Sequence, residues 1–548
     1  MKIRIIENRF AAMGIRILPG AGRVERFAAK ELAWYLYKMS RSGICIRESG
    51  ESKPNEIFLC AEGNSEEDSF DITAEAGSIR LAGSNGRSVL FAVYELLERL
   101  GCVFAHPFDE FVPETPDIEL NPFSLHWKPH FRERGLFQAF FLLRKDLNFD
   151  GFIPQRRLPQ ISYLAKNKYN TFIFSCDYNR LDLWDLFKYQ VLDALLDRGL
   201  KIVFVSATLD YFCPESENMD FGGYGSSSYV SEKPEWYEEN VLRIDHVQVQ
   251  EFAAKRYAEY LLSHSEFSSV TFAPREEKVS AVFLPEGENL MDLWMKFFNA
   301  VARHLAKLAP GRTLDVMVQR SLLPLGESSI PAEKNIRFLF RTDGKMNFHY
   351  SLLAEENGSV KNALRLLAAK GNEILFISGS GETPELTPYW KIAQEEYRFC
   401  RENKVSGIFE FGGHTYNMLG LHFSRCMDYF CCGKLMENVE NDPEAALGHW
   451  AEGLYGDSGK AVASFFREME KEHGKRVRER AFSGQEKWLT LDAFRKVQKN
   501  LAEAKKFLSE QDNTRSAGEK IDSLEVFAAR SVTYEGRPGF EKEDEFLK

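Results

Sequence analysis

Long hydrophobic runs are missing from this chain. No stretch of about 18 or more apolar residues occurs, so nothing in it reads as a membrane span. An excess of positive charge is missing too. The 70 Lys and Arg against 81 Asp and Glu leave a net charge of −11, which argues against nucleic acid or an anionic membrane as partner, since both select a basic surface. The nine cysteines are scattered, and Cys431-Cys432 is a pair of neighbours rather than a metal-ligand CxxC. No disulfide framework is expected, and a cytoplasmic location fits that usage. The N-terminal MKIRIIENRF alternates like a strand and lacks the apolar core of a signal peptide. No GxGxxG follows a first strand, and Ser378–Gly381 lacks the lysine of a phosphate-binding loop. His422 and Cys426 are spaced for one helix face, but Phe423, Met427 and Tyr429 around them favour a core over a metal. No metal or cofactor is expected.

What is present describes a globular protein of several domains. Hydrophobic residues make up 44% and charged residues 28% of 548 positions, too many for one core. Aromatics reach 13%, with 44 Phe; most belong in a core, although sugar-stacking clefts use them as well. Residues 1–125 read as an α+β unit. Strands are expected at Lys2–Ile6, Ile15–Leu18, Ile44–Arg47 and Glu56–Ala61, with a hairpin Phe70–Ala74/Ser78–Leu81 around Gly77. Helices are expected at Val24–Met39 and Gly86–Leu100, the second ending at Gly101. Pro107–Pro129, punctuated by five prolines, reads as a linker.

Strand and helix then alternate. Strands are expected at Arg134–Phe141, Thr171–Cys176, Ile202–Val205, a fourth region at Ser269–Ala273 and Val279–Leu284, then Leu314–Gln319, Ile336–Phe340, Glu373–Ile377 and Gly407–Phe411. Eight strands with helices between them over about 300 residues is the rhythm of a (β/α)8 TIM barrel. An open doubly wound sheet, which alternates as regularly, is the competing reading. The long connection to Arg243, with Gly222-Gly223-Tyr224-Gly225, suits a lid or a substrate-shaping insertion. After Tyr416 the chain turns helical and charged. The expected fold is thus α/β: an N-terminal α+β domain (1–125), a barrel (126–425) and a helical C-terminal region (426–548).

The stretch Ser268–Asn289 concentrates candidate chemistry. Its two β-type runs each end in a proline followed by acids, Pro274-Arg275-Glu276-Glu277 and Pro285-Glu286-Gly287-Glu288. Barrel enzymes carry their catalytic groups where strands end, whereas any single loop Glu is more often simply solvated. Successive side chains of an extended segment face opposite ways, so one of Glu276 and Glu277 turns from any cleft. Glu382, Glu410 and Asp343 are candidates for a second carboxylate. Glu410 alternates with Phe409 and Phe411, and an inward orientation is expected because facing the helices would be costly. Asp177, Arg134, Arg320 and Arg341 fall at or near expected strand ends. Arg134 and Arg341 could clamp a carboxylate or sulfate, or equally partner acids of the barrel. His414 could bind a sugar hydroxyl or face solvent.

Two segments carry a family resemblance: AAKELAWYLYKMS (Ala28–Ser40) and IRLAGSNGRSVLFAVYELLERLGCVFAHP (Ile79–Pro107). They resemble the small domain that precedes the barrel in family 20 hexosaminidases and family 67 α-glucuronidases. The pattern is most similar to the bacterial domain-of-unknown-function family 4838, some of whose members are classed as family 163 endo-β-N-acetylglucosaminidases, and the resemblance continues more weakly through about residue 470. The resemblance implies a glycosidase acting on a glycan through a carboxylate pair, without a cofactor. Glycosidic cleavage needs a proton donor at the leaving oxygen and a second group that attacks, activates water or orients a substrate amide. The family's Pro-x-Asp-Gly after the fourth strand falls on Pro274-Arg275-Glu276-Glu277, with Glu in place of Asp, which implies Glu276 or Glu277 as general acid, with Glu286 and Glu288 as competitors. Two positions depart from the pattern: a Gly-Gly-His is here Val205-Ser206-Ala207, and a Tyr-Tyr-Gly is here Ser378-Gly379-Ser380-Gly381. The alternatives are a non-catalytic carbohydrate-binding protein on a degenerate barrel and an α-glucuronidase-like enzyme on acidic sugars.

Overall fold

A computed structural model describes residues 2–137, 154–174, 181, 183–213, 233–238, 241–341, 349–379, 388–411, 422–480, 489–508, 521, 522, 524, 525 and 528. The N-terminal unit is built on a six-stranded sheet. Its strands run in the order Phe123–Trp127, Phe70–Glu75, Ser78–Gly83, Glu56–Ala61, Gly14–Ile17 and Ile46–Glu48. Helix Arg23–Ser40 buries Ala28, Ala29, Leu32, Tyr35, Leu36 and Met39, a stripe at helical spacing. Helix Gly86–Arg99 starts at Asn85, whose side chain accepts from the Ser88 N–H at 2.8 Å. The hairpin turns at Gly77, where φ is +78°.

The proline-rich stretch is not the expected linker. It forms strands Asp109–Phe111, Ile118–Leu120 and Phe123–Trp127. The second and third lie at sheet edges, where flanking prolines cost no ladder hydrogen bond.

The barrel strands are β1 (Glu133–Phe137), β2 (Thr171–Phe174), β3 (Lys201–Phe204), β4 (Phe267–Val270), β5 (Leu314–Val318), β6 (Ile336–Arg341), β7 (Glu373–Ser378) and β8 (Gly407–Phe411). All eight share one sheet, in the order β4-β3-β2-β1-β8-β7-β6-β5, and the neighbours in that order pair in parallel. A parallel bridge between Thr271 and Asp315 joins the two ends, β4 to β5. The sheet therefore closes on itself rather than lying open. Ile173, Val203, Val205, Met317, Leu339, Leu375, Ile377 and Phe409 fill the interior. The alternating residues, among them Phe172, Phe204, Val316, Phe338, Phe376 and Ile408, pack outward against the helices. The bore is tight at β1 and β8: a Cβ on Gly135 would lie 2.8 Å from Phe409 Cδ1, and one on Gly407 would lie 2.6 Å from Glu133 Cβ. Below these layers Arg337 closes the base, bonded to Asp315 at 2.8 and 2.5 Å and to Glu133 at 2.9 Å.

The expected strand Val279–Leu284 does not join the barrel. Val282 makes only an isolated bridge to Leu242, and Glu276–Lys278 is a turn of 3-10 helix. Beyond the barrel, helices His422–Glu437, Pro443–Tyr455, Gly459–Arg478 and Leu491–Leu508 follow, and all four contribute to a separate apolar core that includes Phe430, Trp450, Phe466 and Met469. Trp450 Nε1 donates to the Ala105 carbonyl at 3.0 Å, tying these helices to the N-terminal unit. No helix among the described residues is long and apolar enough to cross a membrane.

Candidate active site

The C-terminal ends of β1 to β8 form the mouth of the barrel, where barrel enzymes place their chemistry. Side chains prolong the pairing of β3 and β4 there. The Thr271 hydroxyl accepts from the Ser206 N–H at 2.9 Å and donates to the Ser206 carbonyl at 2.5 Å. The Leu209 N–H then donates to the Ala273 carbonyl at 2.8 Å. Gln319, just past β5, donates to the Pro274 carbonyl. The turn after β4 is thus bonded on both flanks, and it presents Arg275, Glu276 and Glu277 at the rim.

These three residues point to different neighbours. Arg275 donates to the Asp210 carboxylate, on the β3 side, and lies 3.6 Å from Glu277. The half-buried Glu276 reaches the β5 side, where one carboxylate oxygen accepts the Ser321 N–H at 3.0 Å and the Ser321 hydroxyl. Glu277 is exposed. Arg320, beside Ser321, is exposed at the end of β5, and Arg341 is half-buried at the end of β6 on the inward-facing register of Arg337 and Leu339. Glu276, Glu277, Arg320 and Arg341 therefore share the β4–β6 side of the mouth. Ser321 completes that side and Asp210 adjoins it from β3; neither was anticipated. Asp210 follows β3 as closely as Glu276 follows β4, so the same rule of strand-end acids would have found it. Ser321 gives no such signal.

Four candidates sit elsewhere. Arg134 lies at the opposite end of β1 and faces outward: its guanidinium donates to Asp68 at 2.8 Å and to the Lys168 and Phe131 carbonyls at 3.0 and 2.8 Å. It joins the barrel to the N-terminal unit instead of clamping a substrate. Glu410 is buried but also faces outward, because Phe409 occupies the interior position on β8; the Tyr397 hydroxyl donates to it at 2.9 Å. The expected cost of facing the helices is met by that tyrosine. Glu286 is exposed, and Glu288 is half-buried and pairs with Lys296 at 2.7 Å, since the run before them is no barrel strand. Asp177, Asp343, Glu382, His414 and the Gly222–Ser228 segment lie outside the described residues. No group of three or more metal-ligating side chains occurs among the described residues.

The outward placement of Glu410 carries its own prediction. Glu410→Gln should leave any hydrolysis rate unchanged, while the buried amide N–H groups it introduces lower stability by about 1–3 kcal/mol. Thermal unfolding of the variant, run beside an activity assay, checks both halves.

A polar cleft of about 530 Å³ opens at the other end of the barrel, between its base and the N-terminal unit, lined in part by Arg87, Glu133, Lys201 and Arg337. Arg87 pairs with Asp68, Lys201 with Glu66 at 3.0 Å, and Arg337 with Asp315 and Glu133, while Arg312 donates to the Phe267 carbonyl at 3.0 Å. It reads as a joint between two units.

No family model matches the chain, and no curated protein matches its sequence. Solved structures do match. A family 138 glycoside hydrolase targeting pectin rhamnogalacturonan II superposes with a TM-score of 0.58 at 11% identity, over 85% of this chain and 56% of that enzyme. This chain thus spans little more than half of that enzyme's length. CpGH84D superposes with a TM-score of 0.57 at 11% identity, over 97% of this chain and 85% of its own. The family 20 β-N-acetylhexosaminidase from Streptomyces coelicolor A3(2) gives 0.53 at 12% identity, over 86% and 93%. At such identities the likeness shows the fold alone, that of a (β/α)8 barrel behind an α+β unit.

Proposed function

We propose that this chain is a glycoside hydrolase working at the C-terminal mouth of its barrel, on a glycan or oligosaccharide of the kind hexosaminidases cleave. The observation that carries the reading is Glu276: a half-buried carboxyl on a turn held from both flanks, at the end of β4. A proton donor must be held at the leaving oxygen, and a turn bonded to both neighbouring strand ends holds it. The resemblance of Ala28–Ser40 and Ile79–Pro107 to family 4838 and to family 163-like enzymes supports the same reading, as do the hydrolase names of the superposable structures. Glu382 and Asp343 are the partner carboxylates that the sequence offers. Arg320 and Arg341 on the same side would suit a substrate carrying a carboxylate or sulfate.

One observation favours a second reading, a carbohydrate-binding protein without turnover. One carboxylate oxygen of Glu276 is already taken up by two donors of Ser321, as in a side chain that holds its turn in place. A panel of aryl β-N-acetylglucosaminides, α- and β-glucuronides and neutral glycosides, followed by intact N-glycans, separates the readings. Hydrolysis of one class supports the enzyme. Binding of a glycan by calorimetry with no release of product supports the binding protein.

A further inference from the structure

Helix Arg23–Ser40 has two faces, and only one of them is needed by the fold. Its buried stripe, with Leu32, Leu36 and Met39, belongs to the core of the N-terminal unit. On the opposite face Lys30, Trp34, Tyr37 and, just past the helix end, Arg41 are exposed at helical spacing. Trp34 keeps 52% of its surface in solvent and Tyr37 41%. Their ring centroids lie 6.0 Å apart with the planes within 22° of each other, an offset arrangement that leaves aromatic surface open on both residues.

Hydrogen-bonding groups stand around this pair. Lys38 Nζ is 5.7 Å from the Trp34 centroid and is held by Glu110, 2.6 Å away. Glu110 also accepts from the Tyr35 hydroxyl at 2.7 Å. Beyond Tyr37, Arg41 pairs with the exposed Glu114 at 2.6 Å. A nearly flat aromatic pair is therefore edged by both donors and acceptors. It is no part of the barrel mouth. Arg23, at the start of the same helix, pairs with Asp193 and Asp197, which end the helix leading into β3 at the base of the barrel.

Size and chemistry together select what covers such a face. At these exposures the two side chains offer about 200 Å² between them, far below the about 800 Å² per partner that a stable protein interface buries. An anionic lipid surface is disfavoured by Glu114 beside the rings and by the net charge of −11. A pyranose ring fits. One of its faces carries C–H groups, whose partial positive charge is drawn to the negative face of an aromatic ring. Its hydroxyls lie around that face and need polar partners at the rim. We propose that Trp34 and Tyr37 form a carbohydrate-binding platform on the N-terminal unit, on which a glycan chain stacks its sugar rings. The platform holds part of a long glycan away from the bond being cleaved. That its occupant is an N-acetylglucosamine oligomer rests on the hydrolase reading.

Fluorine NMR of the full chain carrying 5-fluorotryptophan tests the proposal. The Trp34 resonance is the one that Trp34→Phe removes. Titration with an N-acetylglucosamine tetramer should shift it. Tyr37→Ala should raise the midpoint of that titration about tenfold, the effect of about 60 Å² of lost apolar contact. Both side chains are exposed, so neither substitution opens a core. The titration should be unchanged in Glu276→Gln, because the platform lies apart from the mouth. A Trp34 resonance unmoved by tetramers of N-acetylglucosamine, glucose and galacturonic acid would overturn the proposal, as would an unchanged midpoint in Tyr37→Ala. A resonance that moves with protein concentration and not with sugar would assign the face to a second copy of the chain and overturn it too. A response to the glucose or galacturonic acid tetramer alone would support the platform and count against a hexosaminidase-type glycan. Failure of the hydrolase reading has a different signature: no glycoside is cleaved, while the Trp34 resonance still answers to sugar.

Discussion

Glu276→Gln should lower the hydrolysis rate by about 10²–10⁴-fold, the usual contribution of a positioned acid or base. The substitution keeps the shape of the side chain, and its amide oxygen can still accept from Ser321, so the turn after β4 should stay in place. Substrate binding should therefore persist while turnover is lost. A fall in kcat with KM little changed is the signature of a group acting in the transition state. Glu277→Gln supplies the comparison. Its exposed side chain makes only a 3.6 Å contact with Arg275, and its loss should change the rate far less. If the two variants exchange roles, the neighbouring carboxyl is the donor and the β4 turn remains the site.

Asp68→Asn should be the most damaging substitution for stability. Asp68 is buried where the N-terminal unit meets the barrel. It accepts from Arg87 at 2.9 and 2.6 Å, Arg134 at 2.8 Å, Asn170 at 2.8 Å and Asn85 at 3.2 Å. Burial alone would raise its pKa, but Arg87 and Arg134 outweigh that and hold the carboxyl well below the usual range. The asparagine leaves two buried guanidinium groups facing a neutral amide, a change that costs about 3–5 kcal/mol. The wild-type pair has a pH signature as well. A depressed carboxyl contributes stability that is present above its unfolded pKa of about 3.9 and is lost as pH falls below it. Urea unfolding from pH 7 down to pH 3 should show that loss in the wild type and a shallower one in Asp68→Asn. Equal slopes would mean that the two arginines do not hold the acid.

Much of the fold is legible from alternation and from turn residues. The eight barrel strands follow the period-2 runs, and Gly77 and Gly101 mark the turns they were expected to mark, with φ at +78° and +96°. The prolines between residues 107 and 129 misled because a proline weakens a central strand and not an edge one, and edge position is a tertiary fact. Glu410 misled for a related reason. A barrel strand is buried on both faces, so alternation with Phe409 and Phe411 shows that two faces exist without showing which is inside. The narrow bore at Gly135 and Gly407, with Phe409 filling it, decides that. Arg134 looked like a strand-end residue because it is one, at the base instead of the mouth. Glu396, buried on helix Trp390–Glu402, had a readable signal: it falls on the apolar stripe of Trp390, Ala393, Tyr397 and Cys400, where an acid must be buried.

The central claim is that sugar chemistry happens at the β4–β6 side of the C-terminal mouth. The most direct test is to locate a bound sugar, by crystallography of Glu276→Gln soaked with an N-acetylglucosamine-containing oligosaccharide. The account predicts the glycan over the mouth, with a glycosidic oxygen within hydrogen-bond distance of residue 276 and its ring reaching Arg320 or Arg341. A sugar seated in the polar cleft between the barrel base and the N-terminal unit, with the mouth empty, would contradict it.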